Sequence, residues 1–450
     1  MITLPYECYY QIFNNLRHDY KSLFSCLLVN RHWCRIIIPI LWNEPNFSDI
    51  RLIRILLLML NIKEQALLIP FKIKLPSYQR PLFEYTSYIA SITDNLYYFG
   101  VSYWLISEGH HNVFGLKEAV GCSLIAMILR TSKNLKYLNL CQDTCNQLIF
   151  DYLYENTTVI SVDFNFSEDS DNYFKYKAVD ELTKILYKNS TLTSLNICSI
   201  RLGTKGIKAL LEALYKNNVL NSLGLYNSQI GVEEGKMLAK FLCKNTTLIY
   251  LNLGNNQLKI EAIKALADAL CKNTSLKYLY IRGNNLESQG GKALADALCK
   301  NSTLTSLYLP ENNLGSEEGK LLADALCKNT TLTTLDLSDN NFGSEGGKAL
   351  VDALYKNTTL TSLDISSNNL GSEVKKALED AFPWCNYEDY DYDYSDYSYD
   401  YDDSYDYDYS YDYDYSYDYN YSYDYDYSYD YDYSYNDYDY SYNDYDYSYD

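Results

Sequence analysis

An eight-residue segment recurs along this chain at a fixed interval and limits what the chain can fold into. The segment "LADALCKN" stands at 266–273, 294–301 and 322–329, so its copies begin 28 residues apart. A fixed period between about 20 and 50 residues is typical of a solenoid, in which each repeat packs only against its neighbours. The chain is therefore predicted to contain an array of stacked repeats rather than one globular core.

Leucines keep the same interval over a longer span. The pattern L-x-x-L-x-L, followed by an asparagine and another apolar residue, is clearest at Leu248, Leu251, Leu253, Asn256 and Leu258. This is the leucine-rich-repeat template. A 28-residue repeat of this kind resembles the ribonuclease-inhibitor type, which implies an α/β horseshoe with parallel strands inside and helices outside. Seven regular copies begin at Leu192, Leu220, Leu248, Leu276, Leu304, Leu332 and Leu360, and two weaker copies begin at Leu135 and Val159.

Each repeat is predicted to hold one strand and one helix. The alternating leucines of "LTSLYL" predict a strand with one buried face. In "GSEEGKLLADALCKN", we expect Ser316 to cap a helix that carries Glu317 and Glu318 in its first turn. One such unit cannot bury its own apolar face, so neighbouring units must stack.

Four cysteines occupy one position in successive helices: Cys243, Cys271, Cys299 and Cys327. Packed helices lie about 8–10 Å apart, which is too far for a disulfide between equivalent Cα atoms. We therefore expect these four to be small buried apolar side chains. The chain has 12 cysteines with no disulfide or zinc spacing, which indicates a reducing compartment, the cytoplasm and/or the nucleus.

Residues 4–42 predict three short helices. Cys8, Ile12 and Leu16 recur every four residues in the first, and Asp19 or Ser22 is expected to cap the second. A core built from so few residues is small for an independent domain, so we expect a partner to cover one of its faces.

The same segment, "LPYECYYQIFNNL…SLFSCLLVNRHW", resembles an F-box. That resemblance implies docking onto the Skp-type adaptor of a cullin–RING ubiquitin ligase. We expect Trp33 to belong to the core of the module. The alternative to an F-box is a helical cap that only seals the end of the solenoid. The adaptor-contacting positions implied by the resemblance are Leu4, Pro5, Ile12 and Leu16, with Leu23 and Leu27 added to them.

The predicted organisation has four parts. Residues 1–42 form the F-box, 43–131 a mostly helical connector, 132–386 about nine leucine-rich repeats, and 387–450 a Tyr/Asp-rich tail. This order resembles F-box–leucine-rich-repeat proteins of large, lineage-expanded families. Within the connector we expect one helix capped at Ser48 and another at "KEAVGCSLIAMILRTSKN".

The tail is predicted to be disordered, because it has no Leu, Ile, Val or Phe to bury. Two explanations of its composition stay open: a phosphotyrosine-rich or self-associating segment, and an expanded short DNA repeat. Its 22 acidic residues account for the formal net charge of −21, so the rest of the chain is close to neutral. Neither a nucleic-acid nor a membrane partner is therefore expected, and no signal peptide is visible at the start.

No motif of a hydrolase, a metalloprotease or a phosphate-binding loop occurs, so we expect no catalysis, no cofactor and no metal. Two functions fit the pattern. The chain is either the substrate adaptor of an SCF-type ubiquitin ligase, with a cullin scaffold beyond the Skp-type adaptor, or a stand-alone leucine-rich-repeat binding or inhibitor scaffold. In both, an unknown target protein would bind the concave face, where side chains flanking the strand leucines form a patch of Tyr226, Tyr250, Tyr278, Tyr280, Arg282 and Tyr308, with Asp336 and Asp364 further on.

Overall fold

The structure is a computed structural model that describes residues 4–17, 19–75, 81, 84–110, 113–166 and 172–387. The predicted disorder of the tail falls on residues outside these ranges, apart from Tyr387. Within the described ranges no helix is both long enough and apolar enough to cross a lipid bilayer.

The helices fall into two groups. The helices before the repeats are α1 Tyr6–Asn14, α2 Tyr20–Leu27, α3 Arg31–Leu41, α4 Ile50–Leu57, α5 Ile62–Ala66, α6 Ser102–Ser107 and α7 Leu116–Thr131. Those of the repeats are α8 Gln147–Glu155, α9 Asn172–Lys188, α10 Gly203–Leu214, α11 Val232–Leu242, α12 Lys259–Leu270, α13 Glu287–Leu298, α14 Ser316–Leu326, α15 Gly343–Leu354 and α16 Ser372–Ala381.

The strands form one parallel sheet in sequence order. Buried leucines set the register, so that Leu251 lies beside Leu279 and Leu279 beside Leu307. The predicted α/β horseshoe, with parallel strands backed by helices, is confirmed. The strands are β1 Ser91–Ile92, β2 Tyr137–Cys141, β3 Ser161–Asn165, β4 Ser194–Cys198, β5 Ser222–Gly224, β6 Tyr250–Asn252, β7 Tyr278–Tyr280, β8 Ser306–Tyr308, β9 Thr334–Asp336, β10 Ser362–Asp364 and β11 Cys385–Asn386.

A row of buried asparagines connects each repeat to the next. The Nδ2 of Asn312 donates to the carbonyls of Ile281, Leu309 and Pro310 at 2.9–3.1 Å. Its Oδ1 accepts from the N–H of Asn284 in the preceding repeat at 2.9 Å. The side chain therefore satisfies backbone groups at the point where the strand ends and the chain turns. The row consists of Asn256, Asn284, Asn312, Asn340 and Asn368, all buried.

The observed helix caps agree with the prediction from the sequence at α2 and differ from it at α4 and α14. Asp19 caps α2, accepting from the N–H of Ser22 at 3.0 Å, as one of the two predicted alternatives. The expected cap at Ser48 is wrong, because the side chain of Asp49 accepts from the N–H of Arg51 instead. Ser316 is the first helical residue of α14 rather than its cap, because Gly315, at φ 86°, makes the turn into the helix.

Two separate cores lie on either side of residue 42. The larger runs from Phe47 through the solenoid to Cys385. The smaller belongs to the first three helices and contains Phe13, Leu23, Ile36, Ile37 and Ile40. The rings of Trp42 and Tyr85 stack at 4.6 Å, and the N–H of Ala90 donates to the carbonyl of Asn43 at 2.8 Å, which joins the small module to the start of the sheet.

The repeated cysteines are not buried, so that expectation is wrong. Cys243 and Cys327 are exposed, and Cys271 and Cys299 are half-buried. Each follows the last helical residue, one position past a buried leucine such as Leu270, and therefore lies at the edge of the apolar stripe. Tyr355 occupies the same position in another repeat with 65% of its surface exposed. The position faces solvent, and the twelve cysteines, all within the described ranges, form no disulfide with one another.

Exposed and buried cysteines should differ in their reactivity towards thiol reagents. We expect Cys243 and Cys327 to react with a thiol-specific chromogenic disulfide in the native protein. Burial raises the pKa of the Cys122 thiol to about 12 and that of Cys385 to about 12, so little thiolate exists there at neutral pH. These two should react only in urea, where mass spectrometry should find every thiol labelled. Labelling of Cys122 at the rate of Cys243 in the native protein would contradict the structure.

Candidate interaction surfaces

The first helix divides its apolar residues between a core face and an exposed face. α1 begins directly after Pro5, and Phe13, with 3% of its surface exposed, packs at 5.1 Å between ring centroids against Trp33. Leu4 and Ile12 lie on the other side, with 44% and 48% of their surfaces exposed. The four-residue spacing seen in the sequence thus marks a solvent-facing apolar stripe more than the core of the module.

The six predicted adaptor contacts do not share one environment. Leu4, Pro5 and Ile12 are exposed, whereas Leu16 and Leu27 are half-buried against the small core. Leu23 is completely buried at the centre of that core. We therefore correct its assignment to a core residue, because a partner cannot reach it without opening the module.

Further exposed apolar side chains of the module were missed from the sequence. Phe24 and Leu28 expose 58% and 68% of their surfaces. The sequence did contain a signal, since Leu23, Phe24, Leu27 and Leu28 are more apolar positions than one helix face can bury. The other exposed members are Tyr6, Tyr10, Tyr20 and Val29.

The last residues of the segment that resembles an F-box, "NRHW", lie at the start of α3. Asn30 is the N-cap of α3, and its Oδ1 accepts from the N–H of Trp33 at 2.9 Å. The ring of Trp33 is half-buried and packs on the small core, as expected. The "NRHW" segment therefore starts a helix and anchors it to the first one.

The second surface is the concave face of the sheet, where four of the predicted tyrosines form one cluster. The rings of Tyr280 and Tyr308 stack with centroids 4.0 Å apart and planes 6° apart. Tyr250 lies 5.0 Å from Tyr280 and 6.5 Å from Tyr278, measured between ring centroids. Register explains the cluster, because Tyr250 is the strand neighbour of Tyr278 and Tyr280 is that of Tyr308.

The other two predicted residues lie beside the strand ends. The ring of Tyr226 lies over Gly254, where an added Cβ would approach the ring to 3.1 Å, and its hydroxyl accepts from the Asn255 amide. Arg282 forms an ion pair with Glu311. The concave patch therefore presents aromatic rings together with a guanidinium that already has a carboxylate partner.

Two aspartates continue the column of Tyr280 and Tyr308. Asp336 is the strand neighbour of Tyr308, and Asp364 is the neighbour of Asp336. Ser338 donates both its N–H and its hydroxyl to Oδ1 of Asp336, at 3.0 and 2.8 Å. Burial raises the pKa of Asp336, and the charge of Asp364 raises it further. Both carboxylates are held in fixed positions next to the tyrosines.

His110 is half-buried, and its sequence neighbour His111 lies outside the described ranges. Within the described part of the chain, no group of three or more His, Cys, Asp or Glu side chains is placed to hold a metal ion.

The chain is similar in fold to several solved structures. The leucine-rich repeat-containing protein LegL7 from Legionella pneumophila is 23% identical, with a TM-score of 0.44 over 59% of this chain and 86% of that one. A chain of the Rad7 and Elc1 complex in yeast is 18% identical, with a TM-score of 0.33 over 56% of this chain and 74% of that one. The tropomodulin C-terminal domain of Caenorhabditis elegans is 20% identical, with a TM-score of 0.29 over 33% and 90%.

Two family patterns match the sequence itself. The F-box-like pattern matches residues 1–48. No curated protein matches the chain. The leucine-rich-repeat pattern matches residues 244–267, 272–295, 328–351 and 356–373. The chain thus has the architecture of an F-box/leucine-rich-repeat protein, with an F-box-like domain at its amino terminus and leucine-rich repeats towards its carboxyl end.

Proposed function

We propose that this chain is the substrate-recognition subunit of an SCF-type ubiquitin ligase. Its F-box-like domain docks on a Skp-type adaptor that is joined to a cullin scaffold, and its concave face binds a target protein in the cytoplasm or nucleus. Catalysis resides in the other subunits, since F-box-like and leucine-rich-repeat domains are typically non-catalytic interaction modules.

The exposed apolar surface of the F-box-like domain carries the proposal. Leu4, Ile12, Phe24 and Leu28 each leave more than two fifths of their surface in water, although the whole domain has only about forty residues. So many large apolar side chains exposed on so small a domain indicate a surface that a partner covers. A cap that only sealed the solenoid would turn these side chains towards the repeats, and the structure does not place them there.

Replacing Leu4 and Ile12 together by aspartate should weaken binding of the full chain to a recombinant Skp-type adaptor by more than tenfold. Burying one such side chain is worth about 1.5–3 kcal/mol, and about 1.4 kcal/mol corresponds to a factor of ten. Both side chains are about half exposed, so the small core should tolerate the change. Affinity is measured by titration calorimetry.

The matched control is Ile62→Asp, since Ile62 is 86% exposed and lies outside the module. Its adaptor affinity should equal that of the wild type, and circular dichroism melting should show both variants folded. If the wild-type chain binds no Skp-type adaptor, the ligase proposal is wrong, and the stand-alone scaffold becomes the better reading.

A further inference from the structure

On the concave face, two aspartates lie next to the tyrosine cluster. We propose that the concave face binds its target through an arginine side chain that stacks on Tyr308 and pairs with Asp336 and Asp364. The inference rests on the proposed function only in taking the concave face as the target-binding surface.

The two faces of the Tyr308 ring have different neighbours among the described residues. Tyr280, its neighbour on β7, covers one face by stacking at 4.0 Å. The other face looks along the column towards Asp336 on β9. Within the described ranges no second ring and no lysine or arginine of the chain lies on Tyr308. A planar cation is the group that fits an open aromatic face best.

Side-chain length places the two carboxylates beside that face. Neighbouring strands are about 4.8 Å apart, so a group stacked on Tyr308 comes to lie over Asp336. Aspartate is shorter than tyrosine, and the space above its carboxylate is therefore bounded on one side by the ring. Asp364, one strand further, is held by Ser366 through its N–H and hydroxyl at 2.9 and 2.6 Å, and by the Asn386 amide at 2.8 Å.

The ion pairs of the described residues leave these two carboxylates without a cation in direct contact. Among the described residues, no lysine, arginine or histidine lies within ion-pair distance of Asp336 or Asp364. The guanidinium of Arg282 forms an ion pair with Glu311, and its charge lowers the pKa of Asp336 from a distance. Two like charges on adjacent strands repel each other, and burial already raises the pKa of Asp336. A cation from the partner would remove this cost.

The guanidinium of arginine fits both the ring of Tyr308 and the two carboxylates better than an ammonium group does. It is planar and stacks on an aromatic face, and its fork of N–H groups matches carboxylate oxygens in pairs. A phosphorylated or otherwise anionic segment would be repelled by the two aspartates. The partner is therefore a protein segment with an arginine at its centre.

The test selects displayed random dodecapeptides on the full-length protein and then measures the best synthetic peptide by fluorescence polarisation. Arginine should be enriched, and the Asp336→Asn/Asp364→Asn variant should raise the Kd of the selected peptide at least tenfold. Tyr308→Leu keeps the charges but removes the ring, and should raise the Kd severalfold. Asn252 stands at the equivalent position of β6, so the repeat accommodates asparagine there.

The matched control is Asp268→Asn/Asp296→Asn, which removes two exposed carboxylates from the helical face and should leave the Kd unchanged. Selection without arginine, selection of lysine as readily as arginine, or a Kd insensitive to the Asp336/Asp364 pair would each overturn the inference. Adaptor binding is measured on the same preparation. If the adaptor binds but arginine is not selected, this inference alone fails; if arginine is selected but no adaptor binds, the ligase proposal alone fails.

Discussion

Replacing Asn312 by alanine is expected to lower the free energy of unfolding by about 3–5 kcal/mol. The N–H of Asn284 would lose its acceptor in a buried environment, which alone costs about 1–3 kcal/mol. The carbonyls of Ile281, Leu309 and Pro310 would each lose one donor. Water cannot replace these bonds, because Asn312 is completely buried.

Urea unfolding of the full chain, followed by far-UV circular dichroism, measures this effect. Asn218→Ala is the matched control, since Asn218 is an exposed asparagine and should change the midpoint very little. Equal midpoints for the two variants would show that the asparagine row contributes no more than a surface residue. Unfolding of a repeat array can be stepwise, so amide hydrogen exchange around Asn284 provides a second, local readout.

The second large effect is expected at Arg130, whose replacement by leucine should cost about 3–5 kcal/mol. Its Nε and Nη2 donate to the two carboxylate oxygens of Glu64 at 2.6 and 2.9 Å. Glu64 has no exposed surface, and its carboxylate also accepts from the N–H of Asn61 at 2.7 Å in the capping box of α5. Without the guanidinium, a buried carboxylate would remain with no opposite charge.

A double variant separates the charge from the packing. Glu64→Gln/Arg130→Leu keeps an acceptor for the Asn61 N–H but removes the buried charge, and should recover part of the lost stability. Arg51→Leu is the control, because Arg51 pairs with Asp49 at the surface, where such pairs contribute about 0–1 kcal/mol. If Arg130→Leu melts at the same temperature as the wild type, the ion pair does not hold α5 against α7.

The repeats could be predicted from the sequence because the same leucines both define the pattern and set the strand register. Even the weak copies at Leu135 and Val159 correspond to strands, β2 and β3. β1, at Ser91–Ile92, could not be predicted, because two residues contain no repeat pattern and their pairing depends on how the connector packs. The exposure of Cys327 was missed for a simpler reason, because it is only one position past the buried Leu326 and lies at the edge of the apolar stripe.

The surfaces were predictable to different degrees. Strand alternation places Tyr280 and Tyr308 on the concave face, and the 28-residue period makes them neighbours, so their clustering follows from the sequence. Spacing alone could not distinguish Ile12 from Phe13 on the first helix, because both sides of that helix are apolar. Only the packing of Phe13 against Trp33 shows which of the two faces solvent.

The asparagine row has a consequence for how such a chain can change over generations. Each of these asparagines forms its hydrogen bonds within its own unit and with the adjoining ones, so an additional 28-residue unit would meet the same contacts on both sides. A gene with near-identical copies can therefore gain or lose units by unequal recombination while the protein still folds. Each gain or loss of a unit would also insert or delete one position in the column of side chains that contains Tyr280, Tyr308 and Asp336. Inheritance can thus conserve the scaffold while the recognised target changes.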